Sequence, residues 1–223
     1  MIPPFQAYLF DIDGTLLDSA ADICGAVEQV LSKTRQNQVP HSVLRSFIGR
    51  HLIDLFQHLL PEMSAAGHEA LIQEYRALYP ARGHRLTRPY PGVRETLAAL
   101  GGKKSTATTK GTPTATAVLE LFGLLPYFDF VQGTDGFPCK PAPDVIHRSL
   151  AALDVRPENC LFVGDSGPDM EAGRRAGVKT CAVRWGYGNR EEMERWRPDY
   201  WIDHPSELLA FSCSSPRSHS ATP

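Results

Sequence analysis

Tyr8-Leu9-Phe10-Asp11-Ile12-Asp13-Gly14-Thr15-Leu16 is the stretch from which the rest of the chain is read. Its three leading apolar residues form a short strand of the kind that a sheet buries on both faces. The run stops at acidic residues followed by glycine, a turn former. Asp11 and Asp13 stand two positions apart, so in extended backbone their side chains point the same way. Two negative charges then sit together at a strand end, and such a pair needs a cation.

Outward from this stretch the pattern repeats. Ser105–Thr108, Phe128–Val131, Leu161-Phe162-Val163 and Thr180–Val183 read as further buried strands, each followed by Gly, Pro or Asp. Helical patterns lie between them. Thr112-Pro113 reads as an N-cap with proline at the first helical position, leading into Ala117-Val118, Leu121 and Phe122. Pro143 and Pro168 open two more helices in the same way, the first carrying an apolar stripe of Val145-Ile146, Ser149-Leu150 and Leu153. Alternating strands and helices predict an α/β fold with a mostly parallel, Rossmann-like sheet. Ligands of such sheets bind beyond the carboxyl ends of the strands.

One interval breaks the alternation. Residues 18–87 are far too many for a simple crossover and read as helices throughout. Ser19 is expected to cap the first, with Ile23, Val27, Val30 and Leu31 on one face. Val43 to Leu60 supplies one or two more, and Glu69 to Leu78 another. The expected organisation is an α/β core of residues 1–17 and 88–211, resumed at Tyr90-Pro91-Gly92, with 18–87 inserted as a helical cap. Residues 212–223, rich in Ser and Pro, are expected to be a disordered tail.

Composition excludes several classes. The chain has 223 residues, 42% apolar and 22% charged, with a formal charge of −2, so it offers no broad basic surface for nucleic acid. No segment approaches the length of a membrane span. The opening MIPPFQAYLFDIDG lacks the basic flank and apolar core of a signal peptide. Cys24, Cys139, Cys160, Cys181 and Cys213 are scattered and form no CxxC pair, which argues against a disulfide framework and a structural zinc site. A reducing cytoplasm is the expected location, with no membrane or nucleic-acid partner, as a monomer or homodimer.

Four signals carry chemistry, in chain order: Asp11-Ile12-Asp13-Gly14-Thr15-Leu16; Thr108-Thr109-Lys110; Lys140 within Cys139-Lys140-Pro141; and Gly164-Asp165-Ser166-Gly167-Pro168-Asp169. Each follows an apolar run or opens a helix. Singly, each has a plain explanation. Asp169 beside Pro168 suits a turn or N-cap, Lys140 a solvated surface, and Thr108 a bond to its own backbone. Together they place three acids and a lysine at successive strand ends, which independent turns would not do.

In type and order the four segments resemble the signatures of the haloacid dehalogenase-like superfamily. Within it they are similar to the phosphoglycolate phosphatase-like group, whose helical cap is inserted where residues 18–87 fall. The resemblance spans Phe5 to about Leu209. It implies that Asp11 attacks phosphorus and becomes an aspartyl phosphate. Mg²⁺ would be held by Asp11, the backbone carbonyl of Asp13, and Asp165. Asp13 would protonate the leaving alcohol and then activate water. Lys140 would neutralise nucleophile and phosphate, and Thr108 would bond a phosphate oxygen. Asp169 would orient Lys140 or a metal-bound water. The substrate implied is a small phosphorylated metabolite.

Asp13 also narrows the branch, since dehalogenases and phosphonoacetaldehyde hydrolases of this superfamily lack an acid there. The β-phosphoglucomutase branch carries a His five residues after the position of Asp18, where this chain has Ile23, and a Gly-x-x-Arg in its cap, where Gly49 is followed by Leu52. Asp18-Ser19-Ala20, Phe47-Ile48-Gly49 and Gly186-Tyr187 resemble phosphoglycolate phosphatases. Thr109 in place of Asn, and Arg50-His51 in place of Asn-Gly, depart from them. Pyrophosphatases of the same branch share the Ile-Gly element. Arg50, Thr109 and Lys110 are the candidates for contacting the substrate, with an exposed helix-end cation the plain reading of Arg50. A phosphotransferase and a non-catalytic phosphate-sensing module are the remaining alternatives.

Overall fold

The computed structural model describes residues 2–36 and 38–209. In chain order the elements are β1 (Ala7–Phe10), β2 (Leu17–Asp18), α1 (Ala20–Leu31), α2 (His41–Ser46), α3 (Leu52–Leu59), α4 (Ala65–Ala81), β3 (Arg88–Pro89), α5 (Val93–Ala99), β4 (Lys103–Thr106), α6 (Thr112–Leu121), α7 (Asp144–Leu153), β5 (Cys160–Gly164), α8 (Gly167–Ala176), β6 (Lys179–Val183), α9 (Arg190–Arg195) and β7 (Tyr200–Ile202). Five strands form one parallel sheet in the order β4-β1-β5-β6-β7. This is the expected α/β architecture.

The period of two along β1 explains why that strand lies inside the sheet. Tyr8 and Phe10 join Leu161 and Val163 on one face, beneath Val93 and Leu97 of α5 and Val118 and Leu119 of α6. Ala7 and Leu9 join Cys160 and Phe162 on the other, beneath Val145, Ile146 and Leu150 of α7 and Ala172 and Ala176 of α8. A strand apolar at every position needs a cover on both sides, and helices returning along a parallel sheet provide it. Cys160 and Cys181 are buried within β5 and β6 as small apolar groups.

Between β2 and β3 come four helices with an apolar core of their own, in which Val27 and Val30 of α1 meet Leu44, Leu55, Phe56 and Ile72. Their entry and exit are paired: Leu17 faces Pro89 and Asp18 faces Arg88 in an antiparallel ribbon.

Several expectations need correcting. Phe128–Val131 is not a strand, and only a single bridge joins Phe130 to Ser105. Side chains take the ladder's place there: the Asp129 carboxylate accepts the Lys104 N–H at 2.7 Å, and Thr106 Oγ1 donates to the Gln132 carbonyl and accepts its N–H. Helix starts also shift. Thr112 is the first residue of α6 and Gly111 its cap, while Pro143 is itself the cap of α7. Strand β7 and the short ribbon were not anticipated. The expected tail, 212–223, lies outside the described residues. Among these, no helix is long and apolar enough to cross a membrane.

Phe162 is fully buried at the centre of the sheet. Phe162→Ala is expected to lower unfolding stability by about 3–5 kcal/mol. The check is the midpoint of urea unfolding, which should fall with an unchanged denaturant slope.

Candidate active site

Register brings the acidic residues together. Phe10 lies level with Thr106 on one side and Val163 on the other. The chain beyond each of these three strands therefore leaves the sheet at one edge. Asp11 N–H donates to the Val163 carbonyl at 3.0 Å, and the Ala107 N–H donates to the Phe10 carbonyl at 2.8 Å. Asp11, Thr108 and Asp165 all emerge at this edge and are buried.

Lys140 reaches the same point from the loop before α7. Its Nζ lies 3.0 Å from Asp11 Oδ1 and 2.5 Å from Asp169 Oδ1, and its side chain is wholly buried. Burial opposes its charge, but Asp11 and then Asp169 outweigh burial and hold the ammonium above its ordinary range. Asp169 uses its second oxygen differently. Oδ2 accepts from Ser166 N–H at 3.0 Å and Ser166 Oγ at 2.6 Å, while Ser166 Oγ accepts from Asp169 N–H, closing a capping box at the start of α8. The cap and the lysine holder are one carboxylate.

Asp165 sits in a cradle made for it. Its Oδ2 accepts the Tyr187 N–H at 2.7 Å and its Oδ1 the Thr15 hydroxyl at 3.3 Å. Gly14 has φ +84°, and a Cβ there would come within 2.2 Å of Asp165 Oδ2. Both the backbone and the carboxylate therefore require glycine. Carboxylate oxygens of Asp11, Asp165 and Asp169 lie within 4.8 Å of one another. Burial, with the neighbouring carboxylates adding to it, pushes Asp165 up and lifts Asp11 to about 6.

The donor set fits a hard divalent cation. Neither carboxylate oxygen of Asp11 has a hydrogen-bond partner among the described residues, although both are buried. Lys140 beside Oδ1 is one counter-charge against three converging acids, and buried acids in that excess are costly unless a further cation completes the set. Oxygen donors from carboxylates suit Mg²⁺ chemistry.

Asp13 faces the other way, towards the four-helix insertion. Ser19 Oγ donates to its Oδ1 at 2.5 Å, and Lys110 Nζ lies 2.8 Å from its Oδ2. Lys110 in turn donates to Tyr79 Oη at 3.2 Å and lies over that ring. Burial works against the Lys110 charge, but Asp13 beside it prevails and raises it. Thr108 Oγ1 accepts the Lys110 N–H at 3.4 Å.

A model of the haloacid dehalogenase-like hydrolases matches residues 8–183. The chain belongs to that family. It is 34% identical over 208 residues to a phosphoglycolate phosphatase from Aquifex aeolicus, covering 92% of this chain and 95% of the relative. It is 35% identical over 205 residues to a pyrophosphatase, PpaX, from Bacillus mycoides, covering 90% and 94%. In structure it resembles a haloacid dehalogenase-like family hydrolase from Streptococcus pneumoniae, with a TM-score of 0.84 at 28% identity over 93% of this chain and 98% of the other.

Of the candidates in this haloacid dehalogenase-like hydrolase, Asp11, Asp13, Thr108, Lys110, Lys140, Asp165 and Asp169 gather at the sheet edge. Thr109 lines the adjoining cavity. Arg50 also lines it, but one of its guanidinium nitrogens is bound to both Glu192 carboxylate oxygens, at 2.8 and 2.9 Å, so it is not an unattached cation. Sequence reading missed three supports. Ser19 stands at the N-cap of α1 yet makes no cap bond with its side chain, giving its hydroxyl to Asp13 instead. The amides of Ser19 and Ala20 donate to Tyr187 Oη, which itself donates to Asp18 Oδ1 at 2.7 Å. Thr15 and Tyr187 hold Asp165. Ser19 lay within reach of a motif-based guess, whereas nothing local links Tyr187 to residues so distant in the chain.

The raised Asp11 gives a pH prediction for the protein in chelator. The folded form holds the proton more tightly than the unfolded chain, so this carboxyl lowers stability progressively as pH rises from about 4 through about 6. Asp11→Asn in EDTA is expected to show a shallower fall in melting temperature than wild type between about pH 4 and pH 6. Thermal scans across that range check it.

Proposed function

We propose that the protein is a Mg²⁺-dependent phosphatase that hydrolyses a small phosphomonoester through an aspartyl phosphate on Asp11. The observation that carries this reading is Asp11 itself. It is a buried carboxylate with no hydrogen-bond partner, next to a lysine, and Asp13 is held two residues away on the side where a leaving group would sit.

A carboxylate is a weak nucleophile, and its target is also an anion. Lys140 reduces that repulsion at Asp11. The carboxylates of Asp11 and Asp165 and the carbonyl of Asp13 would hold Mg²⁺, which when bound draws charge from the phosphoryl oxygens. Thr108 offers a hydroxyl to one of those oxygens. An Asp11 oxygen forms a bond to phosphorus as the bond to the leaving oxygen breaks, and Asp13 supplies that oxygen with a proton. In the second half Asp13 takes a proton from water, the water oxygen bonds to phosphorus, and the bond to Asp11 breaks. Ser19 and Lys110 fix the Asp13 carboxyl for both transfers. Asp169 positions Lys140. Residues 18–87 serve as the cap that shields this chemistry from bulk water.

Pyrophosphate is the second reading, favoured by the identity with the Bacillus relative. A phosphate-release screen with Mg²⁺ over small phosphomonoesters and pyrophosphate separates the two. Phosphate that remains organic throughout would instead indicate transfer to another acceptor.

Asp11→Asn is expected to abolish phosphate release in that assay. Asp13→Asn should slow turnover by about 10²–10⁴-fold. Near-native turnover by Asp11→Asn rules out covalent catalysis there. Chelation should silence the wild-type enzyme, and added Mg²⁺ should restore it.

A further inference from the structure

A cavity of about 490 Å³ opens from Asp13 into the four-helix insertion. Its volume is in the range of sites that hold ring-containing organic ligands. At roughly 30 Å³ per water it spans about sixteen water-sized shares. A two-carbon acid or a lone phosphate would leave most of it filled with solvent.

The walls differ in chemistry. Ile23 and Val27 of α1 and Ile72, Tyr75 and Tyr79 of α4 form the cap side, with the two tyrosine rings stacked at 5.4 Å. Ile72, Tyr75 and Tyr79 recur at helical spacing, so one face of α4 is turned to the space. The core side presents Thr109, Lys110, Thr134 and Asp135.

The charges along these walls are nearly all engaged. Lys110 is bound to Asp13, and Arg50 to Glu192. Asp135 accepts the Thr112 N–H at 3.0 Å and the Thr112 hydroxyl, so it occupies the first amide of α6. His51 Nδ1 accepts from the Ile53 N–H. Arg76 alone among the cationic lining side chains has no ion-pair partner among the described residues, and it is exposed at the rim. A second anion placed next to Asp13 would have to displace an existing ion pair, whereas an apolar body gains from every contact with the cap wall.

We infer that the leaving group is an uncharged alcohol or phenol with an apolar body of at least one ring. The substrate class is then an aryl or aralkyl phosphate rather than phosphoglycolate or pyrophosphate. The inference rests on the phosphatase reading above and specifies its substrate.

The test compares kcat/KM for benzyl phosphate, 2-phosphoglycolate and pyrophosphate with the wild-type enzyme and Mg²⁺. Benzyl phosphate should lead by at least tenfold, mostly through KM. Ile23, half-buried on the cavity wall, allows a switch that spares the core. Ile23→Lys should lower kcat/KM for benzyl phosphate about tenfold and raise it for 2-phosphoglycolate. Binding is read apart from turnover by titrating 2-phenylethylphosphonate and 3-phosphonopropionate into wild type. Tighter binding of the phenyl compound without turnover of any ester keeps the cavity assignment and overturns the phosphatase reading. Equal or higher kcat/KM for 2-phosphoglycolate or pyrophosphate overturns the cavity assignment and leaves the phosphatase intact.

Discussion

One buried lysine makes the site possible. Asp11, Asp165 and Asp169 converge where the sheet ends, and each is shut away from water. Like charges in such a place repel strongly, because little solvent remains to screen them. Lys140 sits between two of the three and is fully covered. It offsets part of that repulsion, while burial, with the neighbouring carboxylates adding to it, still holds Asp11 and Asp165 above the usual carboxylate range. With three acids gathered around one lysine, the site is receptive to a further cation.

Much of the surrounding structure holds that arrangement in place. The capping box of α8 fixes Asp169, and through it Lys140. Glycine at position 14 lets the turn after β1 pass close against Asp165. On the far side Ser19 and Lys110 hold Asp13, and Tyr79 of α4 holds Lys110. Acids of similar kind are thereby given distinct surroundings. Asp11 is desolvated and faces Lys140 and the other acids of the sheet edge, whereas Asp13 accepts from Ser19 and pairs with Lys110 towards the insertion, and this contrast is what allows neighbouring carboxyl groups to take different parts in one reaction.

The sheet and the acidic edge were legible because they depend on local patterns. The apolar run Tyr8-Leu9-Phe10 before Asp11 specifies a covered strand, and parallel register then sets the strand ends level. Phe128–Val131 misled because its residues suit a strand, while the side chains of Asp129 and Thr106 took over the ladder's bonds. The pairing of Arg50 could not be read, because Glu192 becomes its neighbour only on folding. Tyr187 was passed over as a structural support for a similar reason. Its bonds to Asp165, Asp18 and the opening amides of α1 join segments that meet only after folding.

The ribbon of Leu17-Asp18 against Arg88-Pro89 binds the two crossings between core and insertion to each other. Seen from the sheet, the four helices are one closed loop on a stem two residues wide. Closing such a loop costs free energy that grows only with the logarithm of its length, about 0.6 kcal/mol for each doubling. The sheet is thus nearly indifferent to what the stem carries. Helices could be lengthened or resurfaced above it with little penalty to the layer below, as long as Ser19 and Tyr79 keep their hold on Asp13 and Lys110 while the rest of the chamber is recut.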